Sequence, residues 1–269
     1  MPSFYSLMGV APTGFDPEHR FVTSWLLPPL WLGIYRLVYA LFGWANLISS
    51  WAWNGINNPD QIGPQFNYFT NLTWWGVTCY MTIASIHTFV YTKNGHSWLD
   101  RWWRSLQALH SLFYTTIVVF PFLVTIVYWA VLYEGPWFTV TEDAFSNVSR
   151  HGLNSLAALL EIVVPATNPP PWLHVLFLVL LLAAYLGLAY VTYATQSFYP
   201  YAFLDPNSGG GQLAGYIVGI AAACVVIYLL VWALIWIRQR FTGRGKRSKE
   251  DMGMHTQFRN RHDMEMAAK

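Results

Sequence analysis

The segment WLHVLFLVLLLAAYLGLAYVTYAT, residues 172–195, contains no Asp, Glu, Lys or Arg. A helix needs about 20 apolar residues to cross the hydrocarbon core of a bilayer, and this run exceeds that length. A second run of the same kind covers residues 213–237, and others cover about 25–48, 68–91 and 108–132. A sixth, at 152–166, is shorter and reads as a tilted or re-entrant helix. The composition agrees: 55% of the 269 residues are hydrophobic and 10% charged, against about 25% charged in a soluble domain. Too little charge is present to cover a soluble surface, so the expected fold class is all-α, a polytopic membrane bundle of about six helices.

The distribution of Lys and Arg orients that bundle. With six spans, the N-terminus, the 92–107 loop, the 167–171 turn and the tail share one side. That side carries Arg20, Lys93, Arg101, Arg104 and the nine basic residues from Arg238 to Lys269. The other side has Arg150 alone, while its loops hold Asp60, Glu134, Glu142, Asp143 and Asp205. The positive-inside rule then places both termini in the cytosol, in an endomembrane or plasma-membrane protein. The first window starts too late, with too little charge before it, to read as a signal peptide. The chain divides into a cytosolic N-terminal segment (1–24), a six-helix transmembrane domain (25–238) and a basic, disordered cytosolic tail (239–269) drawn to anionic lipid headgroups. Trp74, Trp75, Trp102, Trp103, Tyr199 and Tyr201 fall at span ends and read as interfacial anchors. Asn147-Val148-Ser149 is a glycosylation sequon on the lumenal side. Asn168-Pro169-Pro170-Pro171 is a rigid non-helical turn. Cys79 and Cys224 lie in apolar runs and read as packing residues. Nothing in the chain suggests nucleic-acid binding.

Ionisable residues inside spans are costly and default to functional hypotheses. Arg36 and Glu161 fall at similar depth in the first and fourth spans, so a buried pair offsets much of both costs, whether as a clamp or as support for a site. His87 and His110 come together near the cytosolic side. Two histidines without a carboxylate or thiolate make no metal site, and no metal or organic cofactor is expected. At the lumenal side, span two opens Phe69-Thr70-Asn71-Leu72-Thr73, and span four opens Ser149-Arg150-His151-Gly152-Leu153-Asn154. Both spans run from lumen to cytosol, which puts Thr70 and His151 at similar depth. A threonine hydroxyl becomes a nucleophile only beside a base, and histidine is the side chain poised for that near neutral pH.

In these segments the chain resembles the androgen-induced transmembrane protein family, whose characterised animal members hydrolyse fatty acid esters of hydroxy fatty acids. The resemblance rests on Phe69-Thr70, on His151 with Glu161 ten residues later, and on Tyr199-Pro200-Tyr201-Ala202-Phe203-Leu204-Asp205. It implies about six spans with cytosolic termini, Thr70 as the nucleophile and His151 as its base. Some members have two histidines three apart where this chain has His151 and Asn154, so aligning on the first would put Asn154 in the catalytic place. Thr73, one turn below Thr70, is the alternative nucleophile. The chain is also similar to rolling-stone-type membrane proteins, which imply no hydrolysis. The resulting expectation is a lipid-ester hydrolase drawing its substrate from the bilayer. Its apolar cavity is lined by spans two, three and four, and Asn71, Asn154 or Arg36 stabilises the oxyanion. The alternative is a non-catalytic membrane scaffold or lipid carrier.

Overall fold

The computed structural model describes residues 3–12 and 14–242. They are all-α: α1 (Phe4–Leu7), α2 (Pro29–Asn57), α3 (Phe69–Asn94), α4 (Arg104–Val127), α5 (Thr141–Val148), α6 (Asn154–Val163), α7 (Leu173–Gln196) and α8 (Gly210–Phe241). A π-helical turn, Tyr128–Leu132, prolongs α4, and a second, Ser149–Leu153, joins α5 to α6. Four segments are long and apolar enough to cross a membrane: Pro29–Asn57, Arg104–Leu132, Leu173–Gln196 and Gly210–Phe241. The chain thus has the helices of a multi-pass membrane protein. The 26 residues of α3 have the length but a more polar composition.

Several expected boundaries move. The short fourth window belongs to a helical run of 23 residues, from Thr141 to Val163. Its first half is polar, with Glu142, Asp143 and Asn147, and so escapes a hydropathy window. The sequon lies inside this helix: the Asn147 amide donates to the Asp143 carbonyl and accepts from the Tyr128 hydroxyl. The tail does not begin at residue 239, because α8 continues through Phe241. The remainder of the expected tail, 243–269, with its proposed contact to anionic headgroups, lies outside the described residues. Trp74 is no interfacial anchor, being wholly buried against Tyr39 and Phe42.

Close approach of α2 and α3 explains much of the packing. A Cβ on Gly43 would lie 2.4 Å from Thr78 Oγ1, and one on Gly33 would lie 2.8 Å from the Phe89 ring. Small residues allow such contact where lipid supplies no hydrophobic drive between helices. The hydroxyls of α3 are mostly spent on its own backbone. Thr78, Thr82, Thr88 and Thr92 each donate to the carbonyl four residues earlier, and Ser85 to the one three earlier.

Arg36 and Glu161 are fully buried and form a bidentate pair, Nε to Oε1 at 2.8 Å and Nη2 to Oε2 at 2.7 Å. Arg36 Nη1 also donates to the Phe21 carbonyl and to Thr88 Oγ1. The pair joins α2 to α6 just before α6 ends. The helix ends at Val163, and the carbonyls around its end find other donors: Val164 takes Ser24 Oγ, Val163 takes the Trp25 indole, and Ile162 and Thr167 take the Arg238 guanidinium. The expected proline turn is non-helical, and the Tyr228 hydroxyl meets the carbonyls of Pro170 and Pro171.

The N-terminal segment is folded. Met8, Val10 and Phe15 form a small core with Leu99 and Ala108. The Asp16 carboxylate accepts from the N–H groups of Arg20 and Phe21. Burial raises its pKa from 3.8 to about 7 against the opposing pull of those N–H groups, with Asp100 adding to the rise. A carboxyl raised on folding holds a proton that the unfolded chain has released. Stability therefore falls as pH increases from about 4 to about 7. We expect thermal unfolding in detergent to show higher stability at pH 5 than at pH 8, and Asp16→Asn to flatten that dependence.

Breaking the buried pair leaves a lone charge. We expect Glu161→Leu or Arg36→Met to destabilise by about 3–5 kcal/mol, and the double variant R36M/E161L to recover part of that loss. Thermal unfolding of the three purified proteins measures it.

Candidate active site

Thr70 lies in the first turn of α3 and lines an apolar chamber of about 190 Å³. The walls come from α3, α4, α7, α8 and the Ala202–Leu204 turn, with Leu123, Leu182, Ala183 and Ala221 among the lining residues. Spans two and three, α3 and α4, line it as expected, but the fourth span does not, and α7 and α8 complete the walls. No residue of the 141–163 helix lines this chamber. That helix packs against α2, α3, α4 and α8, while Ala183 of α7 and Ala221 of α8 line the chamber.

Two tyrosines frame Thr70 in this chamber. The Tyr201 oxygen accepts from the Thr70 backbone N–H at 3.3 Å and also meets its side chain. The Tyr185 hydroxyl donates to the Asn67 carbonyl at 2.9 Å. The sequence reading missed both in this role. Tyr201 falls where an interfacial aromatic is expected, yet it belongs to the 199–205 stretch on which the family resemblance leans. Thr73 faces elsewhere, into an apolar groove of about 400 Å³ between α3, α4 and α7. Phe69 and Tyr185 line both spaces. The Thr73 hydroxyl is buried without a partner.

His151 sits in the π turn of the 141–163 helix. Its ring stacks on Tyr128 with centroids 3.5 Å apart and planes 5° from parallel. Tyr128 opens the π turn that ends α4, and the neighbouring Trp129 indole donates to the His151 carbonyl at 2.8 Å. Two π turns thus meet at one stacked pair, and such turns occur often at functional sites. His151 Nδ1 is buried and without a partner. Among the described residues, no hydrogen bond joins Thr70 to His151.

The supporting residues divide the same way. Asn71 donates its amide to the Gln65 carbonyl, and Asn154 donates to the Arg150 carbonyl. All the donor bonds of Arg36 described above go to Glu161, Phe21 and Thr88. Among the described residues, none of the three donates a hydrogen bond to Thr70. Arg36 and Glu161 act as a clamp between helices.

The histidines nearer the other end of the bundle pack as rings. His87 and His110 are 5.5 Å apart and perpendicular, beside Trp102 and Tyr80. His174 Nδ1 shares a 2.7 Å hydrogen bond with Thr115. Among the described residues, no three His, Cys, Asp or Glu gather as a metal site.

No family model, curated protein or solved structure matches this chain.

Proposed function

We propose that this chain is a multi-pass membrane hydrolase of lipid esters, with six crossings, both termini cytosolic and the Thr70 chamber toward the lumenal leaflet. The observation behind this reading is the setting of Thr70: a hydroxyl in the wall of an apolar chamber, beside the phenol of Tyr201. Burial of a hydrocarbon chain stabilises binding by about 0.8 kcal/mol per CH₂. The acyl arm then occupies the chamber, and its ester carbonyl lies at Thr70.

In the reaction, Thr70 Oγ1 attacks the carbonyl carbon while its proton passes to His151. The Tyr201 O–H supplies a donor for the developing oxyanion. The tetrahedral centre collapses, the alcohol leaves with the proton from His151, and an acyl-Thr70 ester remains. Water attacks that ester, giving one proton to His151. The free acid departs, and the proton returns to Thr70. Catalytic hydrogen bonds often tighten only with substrate bound, and this scheme requires such closure between Thr70 and the imidazole.

A second reading, a lipid-binding protein without hydrolysis, is favoured by the missing hydrogen bond and by the flat stacking of His151 on Tyr128. A fluorophosphonate probe, an ester-turnover assay and a fatty-acyl binding assay separate the two. Hydrolysis predicts labelling at Thr70, lost in Thr70→Ala and reduced at least 100-fold in His151→Ala, at unchanged melting temperature. Labelling that survives T70A but not Thr73→Ala moves the nucleophile one turn. Absence of labelling and turnover, with acyl binding that Ala221→Phe abolishes, selects the second reading.

A further inference from the structure

On the same side of the bundle as His151, α2, α3 and the 141–163 helix cross around a set of buried polar atoms without hydrogen-bond partners. They are Asn46 Nδ2 and Oδ1, Trp74 Nε1, Ser146 Oγ, Arg150 Nε, His151 Nδ1 and Asn154 Oδ1. Asn46, Trp74 and Asn154 are completely shielded. An unpaired buried polar group is destabilising, so this many in one place calls for a cause.

Three contacts place them together. Phe42, Asn46 and Ser50 are spaced by four and share one face of α2. At one end of that face, the Phe42 ring lies 6.2 Å from Trp74 and 5.9 Å from Phe145. At the other end, Ser50 Oγ accepts from Arg150 Nη2 at 2.7 Å. Asn46 lies between them on that face, one turn from Ser50, which Arg150 meets. Asn154 closes the set through its bond to the Arg150 carbonyl. The π turn at Ser149–Leu153 shifts the helix register at this level, as such turns do at many functional sites.

The chemistry is that of an anion site. Trp74 Nε1 and Arg150 Nε are donors only, and Asn46 Nδ2 and the Ser146 hydroxyl add two more. Among the described residues, no carboxylate lies within ion-pair distance of Arg150. Glu142 is the acid whose charge Arg150 feels, and its carboxylate accepts from Ser49 Oγ at 3.2 Å. A guanidinium in such surroundings favours an oxyanion, which it binds through charge-assisted hydrogen bonds. Asn46 Oδ1 and Asn154 Oδ1 remain as acceptors for a hydroxyl on the same ligand.

We propose that this three-helix crossing binds the anionic headgroup of a lipid, a carboxylate or a phosphate, through Arg150, Trp74 and Asn46. The assignment is independent of hydrolysis at Thr70, since it requires neither the chamber nor a base.

The test uses the full chain in phosphatidylcholine nanodiscs, with oleate, dioleoyl phosphatidic acid and methyl oleate as probes. Melting temperature and a binding isotherm are read for each. Oleate or phosphatidic acid should raise the melting temperature and bind at least tenfold more tightly than the uncharged methyl ester. Preference for oleate identifies a carboxylate, and preference for phosphatidic acid a phosphate. Arg150→Gln should abolish the difference from methyl oleate. Trp74→Phe removes only the indole donor and should weaken anion binding about tenfold. That variant also carries the test if Arg150→Gln does not fold. Equal binding of charged and uncharged probes would overturn the site. So would unchanged anion affinity in folded W74F or R150Q.

Discussion

A guanidinium and a carboxylate, both withdrawn from solvent in the middle of an apolar bundle, set the terms for the rest of the molecule. Neither Arg36 nor Glu161 survives there alone, and together they hold α2 against α6. That last helix stops two residues after Glu161, just ahead of Pro165. Carbonyls freed at a helix end inside such a bundle must be paired within the protein. Ser24, Trp25 and Arg238 supply the donors, from segments far apart in the chain. The folded N-terminal segment is therefore part of the same network, through the Phe21 carbonyl on Arg36 and through Ser24 on Val164. A clamp of this kind adds little net stability relative to a well-packed apolar contact. What it contributes is a single register between helices.

That register separates two kinds of hydroxyl on α3. Those bonded back to their own helix are already satisfied and have no chemistry left to offer. Thr70 makes no such bond, because the residue four earlier, Phe66, precedes the helix; the Thr73 hydroxyl is buried without a partner. Their hydroxyls face the chamber and the groove. Both threonines thus line an apolar space rather than the helix backbone.

Much of the architecture is legible from sequence, because the bilayer imposes a length requirement on apolar runs that composition alone reveals. The windows around 172–195 and 213–237 became α7 and α8. The Arg36–Glu161 contact follows from matched depth and opposite charge. Legibility failed where a helix carries polar residues in its first turns. Glu142, Asp143 and Asn147, none of them buried, disguised the start of the 141–163 helix, since a hydropathy average cannot separate a polar stretch of helix from a solvated loop. Trp74 failed for a different reason: an aromatic near a span end reads as a belt residue until packing shows which way it points. The chamber could not be read at all. Its walls bring together residues far apart in the sequence, from Thr70 and Leu123 to Ala183 and Ala221.

The separation of Thr70 from the imidazole bears on how this end of the bundle is built. Thr70 belongs to an apolar space bounded by α7 and α8, and His151 to a polar crossing bounded by α2 and Trp74. Between them lies α4, which lends Val124 and Val127 to the chamber and, one residue later, Tyr128 to the histidine stack. A π turn starts at that residue. A helix that changes its winding there presents one face to the hydrocarbon and another to the imidazole within a single turn. Any ligand with an acyl arm in the chamber and a charged group near Arg150 has to pass the end of α4. The Tyr128–Leu132 turn is consequently the element whose geometry decides whether hydroxyl and imidazole serve one site or two.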